Sequence, residues 1–342
     1  MKYRILLSGA FVIILIGVTI LFAAGSDLHE QAVANFSPLP ESILSKDSPI
    51  TPEKVTLGKM LFYDTRISVD RTVSCFKCHW INLYGTDGLR KAIGNHYRIN
   101  PRNAPTVFNA AGQISQHWVG NRTTVEDQAK KALLGAGSYG LASYEDAKKN
   151  LKAITGYDAL FREAFPQDTA PVSVDNFASA IGAFERTLVT PSDFDAYLKG
   201  DTTALSPEAK AGLKTFIGIG CVGCHGGTYV GGEQYQKFGL TGPYWKATGS
   251  ESIDSGRYVI THDESDLYKF KVPMLRNVAM TSPYFHDGSV DSLVDAIRIM
   301  GTLQLDMTLD ASQTEAIAAF LKSLTGDIPE TARAVPALPP GE

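Results

Sequence analysis

The sequence predicts a mostly α-helical protein made of two similar halves with long loops. Apolar residues recur at helical spacing, most clearly at Phe177, Ile181, Phe184 and Leu188. Strand signals are few. A five-residue motif, Cys75-Phe76-Lys77-Cys78-His79, returns as Cys221-Val222-Gly223-Cys224-His225, and each copy follows a segment that opens like a capped helix. A chain of 342 residues is expected to hold about two domains.

The repeated motif reads C-x-x-C-H. Two thiols at this spacing can add across the two vinyl groups of one haem, and the adjacent imidazole can ligate its iron, so the pattern is a c-type haem attachment signature. The competing readings are zinc sites and disulfides. Two copies that use all four cysteines favour two covalent haems, with His79 and His225 as axial ligands. They leave no thiol for a structural disulfide.

Composition is ordinary for a globular chain, 44% hydrophobic and 20% charged. The net charge of -4 provides no basic field for nucleic acid. Lys2 and Arg4 precede an apolar run from Ile5 to Gly25, which reads as an export segment. The run approaches the ~20 residues that span a bilayer, while Ala23-Ala24-Gly25 suits signal peptidase. A cleaved signal and an uncleaved membrane anchor both fit. Either places the remainder in the periplasm, where haem is attached covalently.

Along the chain, a short helical stretch covers Leu28–Phe36. Thr51-Pro52-Glu53 supplies a capping hydroxyl, a Pro in the first turn and an acid at the dipole's positive end. Ser206-Pro207-Glu208 repeats that start before the second motif. Helices are expected at Val125–Leu134, Tyr144–Lys152, Val174–Thr187, Val290–Met300 and Ser312–Ser323. Gly85–Pro105 and Gly226–Gly256 read as loops.

Longer blocks surround the motifs. They include Pro101-Arg102-Asn103-Ala104-Pro105-Thr106, His117-Trp118, Glu126-Asp127-Gln128-Ala129, Phe270-Lys271-Val272-Pro273-Met274-Leu275-Arg276-Asn277 and Pro283-Tyr284-Phe285-His286-Asp287-Gly288-Ser289. In this order the chain resembles the bacterial dihaem cytochrome c peroxidases over roughly residues 40–325, a family related to the dihaem enzymes of methylamine-dehydrogenase maturation. The resemblance implies two cytochrome c-like haem domains with the haem pair across their interface. The expected divisions are 1–25 for the signal or anchor, 26–40 for a linker, 41–190 for an N-terminal peroxidatic domain, 191–326 for a C-terminal electron-transfer domain, and 327–342 for a loose tail.

The resemblance also implies roles. Cys75, Cys78, Cys221 and Cys224 hold the haems. Met300 becomes the second axial ligand of the His225 haem; read alone, it is the end of a core helix beside Ile297 and Ile299. Asn103, Thr281 and Pro283 match the family's calcium ligands. Trp118 matches a tryptophan between the haems, with simple packing as its other reading. Hydrogen peroxide is the implied substrate, a small cytochrome c or cupredoxin the implied donor, and a homodimer the common assembly.

The chain departs from the family pattern at the peroxide side. A displaceable histidine in the loop after the first haem falls strictly on Asn95, with His96 next to it as the candidate and His117 as a weaker one. Gln128 keeps one distal residue, but ten residues on, where the family has a Glu, the chain reads Gly137-Ser138-Tyr139-Gly140. A positioned acid–base group contributes about 10²–10⁴-fold to such a step. Two further functions therefore stand beside peroxide reduction: a dihaem protein for electron transfer or ligand sensing, and a dihaem oxidase of a protein substrate. Met300 argues against the last, whose maturation-enzyme relatives carry Tyr there.

Overall fold

A computed structural model describes residues 27–341; the expected signal or anchor at 1–25 lies outside the described residues. No helix among the described residues is long and apolar enough to cross a membrane. The chain is mostly helical, as expected. The first half carries α1 (Leu28–Asn35), α2 (Pro52–Tyr63), α3 (Cys75–Cys78), α4 (Val125–Ala132), α5 (Tyr144–Ala153), α6 (Tyr157–Ala164) and α7 (Val174–Glu185). The second carries α8 (Asp193–Leu198), α9 (Pro207–Gly218), α10 (Tyr244–Thr248), α11 (Tyr258–Thr261), α12 (Leu293–Leu305), α13 (Ala311–Lys322) and α14 (Glu330–Arg333). The one described sheet pairs β1 (Tyr235–Lys237) antiparallel with β2 (Lys269–Lys271).

The two capped starts form as their residues dictate. Thr51 accepts the amide of Lys54 at 3.3 Å, Ser206 accepts that of Ala209 at 3.1 Å, and each helix has Pro in its first turn. Each of these helices then crosses a later one at backbone contact. A Cβ on Gly58 of α2 would overlap the carbonyl of Ala180 in α7, and a Cβ on Gly212 of α9 would overlap that of Ala316 in α13. Only glycine permits such an approach. The first core gathers Leu57, Leu61 and Phe62 against Phe177, Ile181 and Phe184. The second gathers Leu213 and Phe216 against Ile317, Phe320 and Leu321.

The internal repeat extends well beyond motif and helix. Asn109 and Asn277 are both left-handed (φ 59° and 63°), and each leads into a short 3₁₀ turn. His117 and Phe285 are also left-handed (φ 67° and 70°), as are Gly120 and Gly288 (φ 68° and 63°). Bridges Gln116–Arg122 and Tyr284–Val290 frame these turns. Thr124 then caps α4 and Ser292 caps α12. Each residue in the second half lies the same number of positions beyond its counterpart in the first. Two stretches that share few side chains therefore trace the same path.

The halves meet at a buried polar knot. Asn109 Nδ2 and Asn277 Nδ2 each donate to Thr190 Oγ1 at 2.9 Å, and the Thr190 amide donates to Asn109 Oδ1 at 3.1 Å. Nearby, Arg276 and Asp195 form a bidentate pair (2.7 and 2.9 Å) with side-chain exposures of 0% and 2%. Asp195 also accepts the amides of Leu39 and Ser192, and Arg276 Nε donates to the Thr228 carbonyl.

Both chain ends differ from expectation. Residues 26–40 are more than a linker: Ala32 of α1 and Phe36 are buried in the second core, with Phe36 edge-on to Phe194 at 5.2 Å. The tail from 327 is docked rather than loose. Ile328 and Ala332 enter the first core, and Arg66 donates to the carbonyls of Pro339 and Gly341. Apolar residues in a Pro-rich segment are ambiguous in sequence, and here they find a core far away in the chain. Helix α6, which the sequence reading did not include, packs Tyr157 and Phe161 into that same core.

Breaking a buried ion pair from one side costs about 3–5 kcal/mol, so Asp195→Ala should lower the thermal unfolding midpoint sharply. Burial alone would raise the Asp195 pKa, but Arg276 and the donated amides outweigh it and hold it below the usual range. A carboxyl lowered in the folded state adds stability above its unfolded value, about 3.9, and loses it as pH falls through the folded value. Acid titration of the midpoint should thus show a drop below about pH 4 that is smaller in Asp195→Asn.

Candidate haem centres

In the first centre, α3 presents both thiols of one motif and ends at His79. The His79 Nδ1 donates to the Gly85 carbonyl at 3.0 Å, with the Pro105 carbonyl also beside the ring. A bond to a carbonyl needs the proton on Nδ1, so Nε2 keeps the lone pair that a metal takes. Burial lowers the His79 pKa, which keeps that lone pair available. Burial pushes the thiols of Cys75 and Cys78 up to about 12 each.

The second centre copies this arrangement. His225 is buried, and the carbonyls of Pro273 and Val230 face its ring as those of Pro105 and Gly85 face His79. Its Nδ1 is buried without a hydrogen bond, just outside bonding geometry. Burial pushes His225 down to about 4 and the Cys221 thiol up to about 11. One large apolar cavity is bounded by Cys221, Cys224, His225 and Met300. Two neutral thiols, a buried imidazole faced by two carbonyls and an apolar cavity fit a covalently attached haem. All four cysteines are free, and no cluster of metal-ligating His, Cys, Asp or Glu occurs among the described residues.

The same cavity brings together other expected residues. Asn103, Thr281 and Pro283 line it, as do Trp118 and His117. Trp118 Nε1 donates to the Asn103 carbonyl at 3.0 Å, and the Trp118 ring stands edge-on to His286 at 6.4 Å. Asn103 Nδ2 donates to the Leu89 carbonyl, which leaves its Oδ1 as an acceptor. His117 bonds Asn121 and is pushed down to about 4 by burial and by Arg122.

The repeat sets up a contrast on the distal side. Met300 lies on α12, and at the matching position in the first half α4 carries Ala132. Gln128 is one turn earlier on α4, on the face of Ala132. Glu126 and Asp127 are occupied elsewhere: Glu126 pairs with Arg186 at 2.7 Å, and Asp127 pairs with Lys131.

The residues of the altered loop take unexpected places. His96 is not in the cavity. Its backbone is left-handed (φ 49°), its amide donates to Asp70 at 2.7 Å, and its side chain is 64% exposed beside that carboxylate. Asn95 turns inward instead and donates to the carbonyls of Ala136 and Ser138, both at 2.7 Å. Tyr139 is buried with its hydroxyl 3.5 Å from Cys75 Sγ. The sequence reading missed two buried ionisable groups. The Glu185 carboxyl has no ion pair or hydrogen bond among the described residues, and burial, then Glu126, pushes it up to about 8. Lys271 is buried at the cavity wall.

Asn95 is buried, and each hydrogen bond it donates contributes about 0.5–1.5 kcal/mol, although the Ala136 carbonyl keeps a second donor in Arg98 at 3.1 Å. Asn95→Ala should therefore lower the unfolding midpoint and speed amide exchange across 136–140, measured by hydrogen-exchange mass spectrometry.

A family model described as di-haem cytochrome c peroxidase matches residues 52–203. Cytochrome c551 peroxidase of Pseudomonas aeruginosa is 42% identical over 309 residues, covering 90% of this chain and 89% of that protein. The cytochrome c551 peroxidase of Nitrosomonas europaea is 39% identical over 295 residues, covering 85% and 86%. Among solved structures, a MauG-like protein associated with microbial copper homeostasis superposes with TM-score 0.77 at 28% identity, covering 87% of this chain and 97% of that one. The chain belongs to the di-haem cytochrome c peroxidase family, which implies two haems c.

Proposed function

We propose that the protein reduces hydrogen peroxide to water in the periplasm, using electrons that a small cytochrome c or cupredoxin delivers to the second haem. The overall reaction is H2O2 + 2 H⁺ + 2 e⁻ → 2 H2O. The observation that carries this reading is the pairing of Ala132 with Met300. Two centres built on one backbone plan differ where a sixth ligand would stand.

When bound, the haems supply iron that accepts electrons singly and passes them to the oxidant. His79 and His225 would hold the irons through Nε2. Met300 would offer its sulfur at the second centre, and a Met ligand raises the reduction potential, as electron storage requires. Ala132 offers no ligand atom, so the first centre keeps a position for peroxide, with Gln128 on the same helix face to orient it. Trp118, whose indole donates to the Asn103 carbonyl, would relay electrons between the centres. Asn103, Thr281 and Pro283 offer the hard oxygen ligands that calcium favours. His96 would have to leave Asp70 to reach the first iron.

One observation favours a second reading, a dihaem protein for electron transfer or ligand sensing. Beyond Gln128, Ser138 and Tyr139 supply no carboxylate, and Tyr139 faces Cys75. Without a positioned acid–base group, turnover would fall by about 10²–10⁴-fold.

The test is to reduce the holoprotein by one electron, with and without calcium, and mix it with peroxide while following the haem spectrum. Turnover with a donor is expected. A first haem that stays six-coordinate and inert to peroxide in every condition overturns the reading. Ala132→Met should make that haem six-coordinate and abolish turnover. Met300→His should lower the potential of the second haem, read by potentiometric titration.

A further inference from the structure

Lys271 is 6% exposed, yet its ammonium has no carboxylate partner among the described residues. Its side-chain partner is the neutral amide oxygen of Gln113. Burial alone pushes its pKa down to about 7. The backbone beneath it is held firmly: Lys271 pairs with Tyr235 across the β1–β2 ribbon, and its amide donates to the Trp118 carbonyl at 2.8 Å. The ammonium is therefore fixed at the wall of the cavity that contains Cys221, His225 and Met300. A buried charge is retained only where a counter-charge meets it. The described residues supply none, and a haem carries two carboxylates.

The repeat sharpens the point. Lys271 lies two residues before Pro273, and the residue two before Pro105 is Asn103. The equivalent position in the first half is neutral.

We propose that Lys271 pairs with a haem carboxylate at the second centre and thereby holds that haem's reduction potential above that of the first. Oxidised iron carries one more positive charge than reduced iron. A fixed cation nearby disfavours the oxidised form, so electrons collect at the second centre. Lys271 acts here as a positioning and tuning residue. The inference rests on the two bound haems and is independent of peroxide reduction.

The test uses the holoprotein with Lys271→Gln, Lys271→Met and Lys271→Arg. Haem content is measured first, then the potential of each haem by spectrally followed redox titration. Gln and Met should lower the second haem's reduction equilibrium constant about tenfold, or about 59 mV for one electron, and move the first haem much less. Arg should stay near wild type. Loss of the second haem in the Met variant with retention in the Arg variant would also support the proposal, because charge is what Arg preserves. An unchanged second potential in the Gln variant overturns it, as does an equal drop in the Arg variant or loss of haem in both. If the protein proves inert to peroxide but shows this shift, only the peroxidase reading falls.

Discussion

One hydroxyl joins the two halves. Thr190 Oγ1 accepts from Asn109 and Asn277 together, and all three side chains are fully buried. Such a knot tolerates little movement, because losing any member leaves buried donors unpaired. The proximal carbonyls depend on it. Pro105 and Pro273 each lie four residues before a knot asparagine, and each faces the imidazole of its own half. The Arg276–Asp195 pair braces the same junction from the second half. Relative placement of the two imidazoles is thus set by hydrogen bonds rather than by apolar contact alone.

On this symmetric frame, function comes from a few unequal substitutions. Ala132 answers Met300, Asn103 answers Lys271, and Trp118 answers His286. Each pair shares a backbone position and differs in what it offers: a vacancy or a sulfur, an amide or a cation, an indole or an imidazole. A duplicated scaffold gains direction in this way without any change in its path. Under the proposed function the two centres would take unlike ligands and unlike charge, and neither requires a different fold.

Much of this was legible in sequence, and the limits have physical causes. The motifs, the capped helices α2 and α9 and the mostly helical class follow from local chemistry, and they appear within a few residues of where the patterns place them. The depth of the repeat did not show. It resides in left-handed backbone at Asn109, Asn277, His117 and Phe285, and residues as different as His and Phe can adopt that conformation under tertiary constraint. The register of the altered loop was also hidden. Asn95 and His96 are adjacent, and which one turns inward depends on the carbonyls of Ala136 and Ser138, some forty residues away. Glu185 and Lys271 read as ordinary surface charges until burial is known.

The exchanged ends have a consequence for how the molecule is made. The opening residues Ala32 and Phe36 belong to the second core, while Ile328 and Ala332 complete the first. A chain delivered from its amino end finishes neither half in isolation. The first core waits for the last residues to arrive, long after Cys75 and Cys78 have emerged. Cutting away the tail would therefore open the first core, not the half to which the tail is joined in sequence.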